Sequence, residues 1–307
     1  MDKPSSAPEV LWQPPTDGQT PMDHYRAHIN HKFSQTLPTT RALHKWSVTH
    51  PQSFWPDLYT YLNLQPPLPA KTTQAYDSTV PMSSNPPFFP GHKLNYAENA
   101  LFANPDPEAF ALIGLREGQD LSTACEEKLT WRAFRNRVRL AASALRHSGI
   151  EPGDRVAALV ATSVWAMVLF HASAAVGAVF TSISPELGEE GCVSRLAQVG
   201  PRVLFADGEA VYKGKSVSVL GKVERALAWL RPKPEVFVVP VDSLETASFA
   251  GVGEFLARAR EEDELTFERV DFNAPLLICY SSGTTGAPKC IVHQHGIIIQ
   301  LKSESKP

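Results

Sequence analysis

An α/β fold with a mostly parallel sheet is the class this sequence predicts, and three observations carry the expectation. From Asn95 onward, short β-rich runs alternate with helix-length runs, the order of strand–helix–strand units whose helices cover the faces of a sheet. Residues 156–183 contain no Asp, Glu, Lys or Arg, as expected of strands buried on both sides. An apolar run, Pro275 to Tyr280, then opens directly into a turn rich in glycine and hydroxyl residues.

Length and composition set the bounds. With 307 residues, 43% of them hydrophobic, the chain can form one large α/β domain or two smaller ones, each with a sizeable core. A net charge of −3 gives no clustered basic face, so no nucleic-acid partner is expected. The four cysteines, Cys125, Cys192, Cys279 and Cys290, are widely spaced and form no CxxC pair. They read as reduced, buried thiols of a cytosolic protein. Met1 to Val10 lacks the basic-then-apolar order of an export signal, and the expected location is the cytoplasm.

The elements follow in chain order. His24 to Phe33, and then Phe54, Trp55, Leu58, Tyr61 and Leu62, have helical spacing. This aromatic stripe reads as packing against a larger domain, and Pro51 suits a first-turn position. Residues 63–90 are dense in proline (Pro66, Pro67, Pro69, Pro81, Pro86, Pro87, Pro90), which marks an extended connector. Residues 1–90 are therefore expected to be a helical N-terminal extension with its connector, and residues 91–307 an α/β domain.

Beyond Asn95 the expected order is a strand at Ala109 to Arg116, a helix at Thr130 to Ser148 ended by Gly149, and a strand at Arg155 to Val160. A helix at Val164 to Val176 and a strand at Ala178 to Ile183 come next. A helix from about Glu189 to Gly200 leads to a strand at Arg202 to Ala206, and Val236 to Pro240 and Pro275 to Tyr280 are further apolar runs. Residues 156–183 are long enough to span a bilayer. Their punctuation, with a cap at Thr162 or Ser163 and a stop at Gly177, instead argues for strand, helix, strand inside a core. No membrane partner is expected.

The segment Leu276 to His295, LLICYSSGTTGAPKCIVHQH, carries the chemistry. Gly283 and Gly286 admit backbone conformations closed to other residues and let main-chain N–H groups approach phosphate oxygens. Ser281, Ser282, Thr284 and Thr285 add short hydroxyl donors, and Lys289 adds a flexible positive charge. The whole is an anion cradle at a strand end. It is not a Walker loop, whose lysine directly follows the second glycine, because Ala287 and Pro288 intervene.

This string resembles the signature of the AMP-forming acyl-CoA synthetase family, and every position of that signature is filled. The resemblance implies the N-terminal part of the large adenylate-forming-enzyme domain. It also implies that Ser281, Ser282, Gly283, Thr284, Thr285, Gly286 and Lys289 hold the β- and γ-phosphates of Mg-ATP while a carboxylate attacks the α-phosphate. A thiol, usually that of CoA, then displaces AMP. ATP, Mg²⁺ and CoA are the implied cofactors, and ATP, a short-chain carboxylic acid and CoA the implied small-molecule partners.

Other blocks are similar to acetoacetyl-CoA synthetases within that family: Val10-Leu11-Trp12, Phe89-Pro90-Gly91, Leu94 to Asn99, Ser184 to Gly188, Pro201 to Phe205, Tyr212 to Lys215 and Ile291 to Gly296. By the same comparison Lys213 and Lys215 fall where related enzymes set basic residues against CoA phosphates. A solvated pair of hairpin lysines is the alternative. The family's adenine, ribose and hinge segments, and its C-terminal lysine domain, would fall downstream of Pro307, so the chain is expected to be a truncated and catalytically incomplete half. A non-catalytic nucleotide-binding remnant and a synthetase for another short acid remain alternatives. The strand Leu276 to Tyr280 is further expected to lie unpaired at an edge of the sheet.

Overall fold

Three helices lead into the sheet: α1 (Pro21–Lys32), α2 (Thr40–Thr49) and α3 (Pro51–Tyr61). The computed structural model describes residues 11, 20–115, 127–239, 249–281 and 288–305. A capping box starts α1, with the Thr20 side chain accepting from the Asp23 N–H and the Asp23 carboxylate accepting from the Thr20 N–H. Pro51 occupies the first turn of α3, where its missing N–H costs nothing. The buried Asp57 carboxylate on α3 accepts from the Tyr25 hydroxyl (3.1 Å) and the Lys32 Nζ (2.6 Å), with His28 Nε2 at 3.1 Å. Those partners offset the loss of water around the charge. Leu58 and Leu62 of the aromatic stripe are buried, and Phe54, Trp55 and Tyr61 pack on the same core.

Next come β1 (Lys93–Leu94) and α4 (Tyr96–Leu101). Asn95 caps α4, with its Oδ1 accepting from the Ala97 N–H at 2.8 Å. Its Nδ2 donates to the carbonyls of Ala174 (2.7 Å) and Glu268 (2.6 Å), so one buried amide joins three distant segments.

Among the described residues, strands β2 (Phe110–Gly114) and β3 (Glu127–Thr130) pair only with each other, antiparallel. The run expected at Ala109 to Arg116 is thus a strand outside the parallel sheet. Its Phe110 and Ile113 are exposed, unlike the side chains of the central strands. Arg116 lies outside the described residues. Helix α5 (Trp131–His147), capped by Thr130, follows.

Residues 156–183 resolve into β4 (Arg155–Leu159), α6 (Val164–Ala175) and β5 (Val179–Ile183). Ser163 is the N-cap of α6, and Gly177, at φ +74°, turns the chain from α6 toward β5. Among the described residues no helix is long and apolar enough to cross a membrane. The chain continues through α7 (Glu189–Val199), β6 (Val203–Asp207), the hairpin β7 (Glu209–Tyr212) and β8 (Lys215–Ser218), α8 (Leu220–Trp229) and β9 (Glu235–Val239). It then forms β10 (Ala250–Gly251), α9 (Val252–Leu256), β11 (Val270–Asp271), β12 (Pro275–Ser281), β13 (Lys289–Gln294) and α10 (Ile298–Ser305).

The main sheet has the order β10-β9-β6-β4-β5-β12-β13 and is parallel except for the last pair. Side-chain alternation sorts its two faces. Val156, Ala158, Val203, Phe205 and Phe237 pack with residues of α5, α6 and α9. Ala157, Leu159, Leu204, Ala206 and Val236 pack with Cys192 and Leu196 of α7 and with Val223 and Ala226 of α8. From β4 the chain crosses over α6 to β5 on one side, then over α7 to β6 on the other. The connections therefore diverge between β4 and β5, and the carboxyl ends of strands at such a divergence form a crevice suited to a ligand.

Candidate phosphate-binding site

Strand β12 is the scaffold of the site, and its residues explain its place. Leu276 is buried and Leu277 to Tyr280 half-buried, so the run needs cover on both faces and a partner on each edge. It runs parallel to β5, with Leu277 beside Phe180 and Ile278 beside Thr181. On its other edge β13 pairs with it antiparallel, from Leu277↔His293 to Ser281↔Lys289. The expectation of an unpaired edge at Leu276 to Tyr280 is corrected here, because the chain returns after the loop as a strand and satisfies that edge. The sheet's edge is β13 instead, where Ile291 and Val292 are exposed.

Ser281 and Lys289 are thus register partners at the mouth of the β12–β13 hairpin. Ser281 is half-buried, Lys289 is exposed, and among the described residues no carboxylate pairs with Lys289. Ser282, Gly283, Thr284, Thr285 and Gly286, the other members of the predicted cradle, lie outside the described residues. Because β12 is parallel to β5 and β4, the hairpin mouth opens on the carboxyl rim, beside the connections that leave β5 and β4.

Both neighbouring connections are held by buried or anchored groups. After β4, the Ala161 N–H donates to the Asp207 carboxylate at 2.7 Å. After β5, the Leu187 carbonyl accepts from Lys222 Nζ of α8 at 2.8 Å. A rim fixed in this way can present main-chain groups to a ligand without first having to order itself.

Lys213 and Lys215 stand on the β7–β8 hairpin, which follows β6 on the same rim. Lys213 (φ 51°) and Gly214 (φ 72°) form its two-residue turn, and positive φ at both positions matches the twist of a tight hairpin. Both lysines are exposed. Strands β4, β5 and β12 separate β6, which leads into that hairpin, from β13, which carries Lys289.

The thiols differ in their settings. Cys192 is buried and Cys279 half-buried, and burial pushes both thiols up, away from the reactive thiolate. Cys290 is exposed, contrary to the expectation of buried thiols, because it stands on the edge strand one residue past Lys289. Cys125 lies outside the described residues. Among the described residues no three His, Cys, Asp or Glu side chains gather to hold a metal ion.

Two groups near the hairpin escaped the sequence reading. Tyr280 stands directly before Ser281; its hydroxyl is 3.1 Å from Thr181 Oγ1, and Arg195 lies over its ring. His295, just past β13, is fully buried; its Nδ1 accepts from the Tyr96 N–H at 3.1 Å, and its Nε2 has no partner among the described residues. The only available signal was a tyrosine and a histidine flanking the cradle in sequence. Their partners lie far away along the chain, where spacing says nothing.

Comparison with known proteins accords with this architecture. The profile of the family described as AMP-binding enzyme matches residues 102–305. A malonamoyl-CoA synthetase of Penicillium aethiopicum is 35% identical over 98% of this chain and 43% of its own length. An acetoacetyl-CoA synthetase of Gallus gallus is 34% identical over 94% of this chain and 44% of its own. The chain thus spans less than half the length of these curated relatives. The solved acetoacetyl-CoA synthetase from Streptomyces lividans matches with a TM-score of 0.83 at 30% identity, covering 96% of this chain and 45% of that one.

Proposed function

The chain belongs to the AMP-binding enzyme family, and on that footing we propose that it supplies the phosphate-binding half of an ATP-dependent acid–thiol ligase. The observation that carries the reading is the Ser281–Lys289 pair, locked in register at a hairpin mouth on the carboxyl rim of a parallel sheet. An exposed ammonium with no carboxylate partner among the described residues suits an anion, and Ser281, Ser282, Gly283, Thr284, Thr285 and Gly286 would add hydroxyl and main-chain donors. In this reading they hold the β- and γ-phosphates of ATP, leaving the α-phosphorus open to a carboxylate. As that bond forms, the bond to pyrophosphate breaks, and the thiol of CoA then displaces AMP from the acyl-adenylate. Magnesium would accompany the nucleotide and neutralise part of the charge on its phosphates. Lys213 and Lys215, exposed on the same rim, fit the CoA phosphates.

The acid is proposed to be acetoacetate. The acyl groups in the relatives' names, acetoacetyl and malonamoyl, both carry a second carbonyl β to the carboxyl carbon and differ by a methyl against an amino group. The similarity to the malonamoyl-CoA synthetase therefore favours, as a second reading, another short acid of the same skeleton. Because the chain spans less than half the length of these relatives, residues 1–307 alone are proposed to bind nucleotide phosphates without exchanging pyrophosphate into ATP. Clear acetoacetate-dependent exchange would overturn that expectation.

Calorimetric titration tests the reading. Saturable, Mg²⁺-dependent binding of ATP or pyrophosphate is expected, and Lys289→Ala should weaken it about tenfold or more, the worth of a charge-assisted contact to phosphate. Equal affinity in the two proteins would remove Lys289 from the site.

A further inference from the structure

We infer that Arg195 is a positioning residue for the phosphate-binding hairpin, acting on the hairpin mouth through the ring of Tyr280. The inference rests on the phosphate-binding reading above and extends it to a helix that reading does not use.

The geometry has three parts. The Arg195 guanidinium lies 5.3 Å from the centroid of the Tyr280 ring. Its Nη1 donates to the Gly191 carbonyl of α7 at 2.8 Å, so the cation is anchored on its own helix and presents a fixed face to the ring. The Tyr280 hydroxyl is also held, 3.1 Å from Thr181 Oγ1 and 3.5 Å from the main-chain carbonyl of Arg195 itself. Thr181 is itself fully buried and donates to the Ile278 carbonyl at 2.9 Å.

The next residues along α7 repeat the grip on the other strand. Cys290 is the register partner of Tyr280, and its Sγ lies 3.3 Å from Gln198 Oε1. Residues 195 and 198 are three apart and so share one face of α7. That face therefore holds both members of the cross-strand pair standing directly behind Ser281 and Lys289. The arrangement has a mechanical use. Among the described residues strand β13 is the edge of the sheet and has β12 as its only ladder partner, so the hairpin mouth is where fraying would begin. A guanidinium stacked on an aromatic face, partly shielded from water, resists that fraying without touching the phosphates.

The test uses the full chain and Mg-pyrophosphate as the probe. Arg195→Met should weaken pyrophosphate binding roughly fivefold, as expected of a lost cation–π contact of ordinary size. Tyr280→Phe, which keeps the ring, should stay near wild type, whereas Tyr280→Leu should match Arg195→Met. The double variant Arg195→Met/Tyr280→Leu should be no weaker than either single one, because both remove the same contact. A merely structural role would lower the melting temperature and leave affinity unchanged in the folded variants, and that result overturns the inference. So does an additive double variant, or a Tyr280→Phe protein as weak as Tyr280→Leu. If Arg195→Met fails to fold, the two Tyr280 variants decide alone. A wild-type chain that binds no pyrophosphate overturns the functional reading itself, whereas wild-type binding with an unchanged Arg195→Met overturns only the role of Arg195.

Discussion

Between pH 7 and pH 5 the fold is expected to lose about 4 kcal/mol of stability, because two buried histidines must stay neutral for it to form. His171 lies inside α6 among the rings of Tyr96, Phe134 and Phe170, and burial lowers its pKa from 6.5 to about 4. Burial brings His295 to about 4 as well, and its Nδ1 already accepts from the Tyr96 N–H, leaving that nitrogen no room for a proton. In the unfolded chain both imidazoles take up protons near pH 6.5, while in the fold they do so only near 4. The unfolded state therefore binds more protons throughout that window, and stability falls as pH falls through it. At the steepest part the unfolded chain holds nearly two more protons, worth about 2 kcal/mol per pH unit. The carboxylates held low by hydrogen bonds, Asp23, Asp77 and Asp263, act in the same direction but at lower pH. Urea titrations at half-unit steps would show the slope, and His171→Leu should remove about half of it. An unchanged slope in that variant would mean that His171 is not one of the responsible groups.

Gly296→Ala is expected to cost at least 3 kcal/mol, among the largest effects of any single added methyl in the chain. A Cβ on Gly296 would sit 2.1 Å from Phe272 Cε1, far inside contact distance. Phe272 cannot yield, because its ring stacks on Phe88 (5.7 Å between centroids) and meets Phe89 edge-on (5.2 Å). Relief would have to come from the backbone, where the Gly296 N–H donates to the Phe272 carbonyl and the His295 N–H to the Ala274 carbonyl, both at 2.9 Å. Separating the two segments there would undock the base of the β12–β13 hairpin. Gly253→Ala is the control: it sits in α9, its added Cβ meets nothing within 4 Å, and it should be neutral or slightly stabilising. Thermal melts of the two variants would separate a local clash from a general intolerance to substitution. Equal melting temperatures would show that Phe272 can move aside.

The central α/β unit was legible in the sequence because parallel strands buried on both faces leave continuous apolar runs. β4, α6 and β5 fall where Val156 to Ile183 placed them, and Ser163 and Gly177 mark the helix ends as capping chemistry requires. Strand β13 was not legible. Lys289 to Gln294 is an edge strand with exposed residues, so it lacks the apolar signature that reveals a central strand, and only its pairing with β12 defines it. The membership of β2 in a separate ladder escaped for a related reason: a β-rich run states that a strand forms but not which neighbour it takes.

The candidate cradle was read as a string of residue types, and of that string the structure describes Ser281 and Lys289, in register on the carboxyl rim. The support behind it was not legible. Tyr280 and Arg195 are separated by 85 positions and meet only because α7 crosses back over the sheet.

Hydrogen exchange with and without Mg-ATP addresses the central claim most directly, since it reads where the chain is protected as well as whether it binds. The account predicts slower exchange at Ser281 and at Lys289 to Ile291 on adding Mg-ATP, with smaller protection along Ser184 to Gly188 and no change in the β2–β3 ladder. Protection confined to residues away from the carboxyl rim, or binding that leaves Ser281 and Lys289 unchanged, would contradict it.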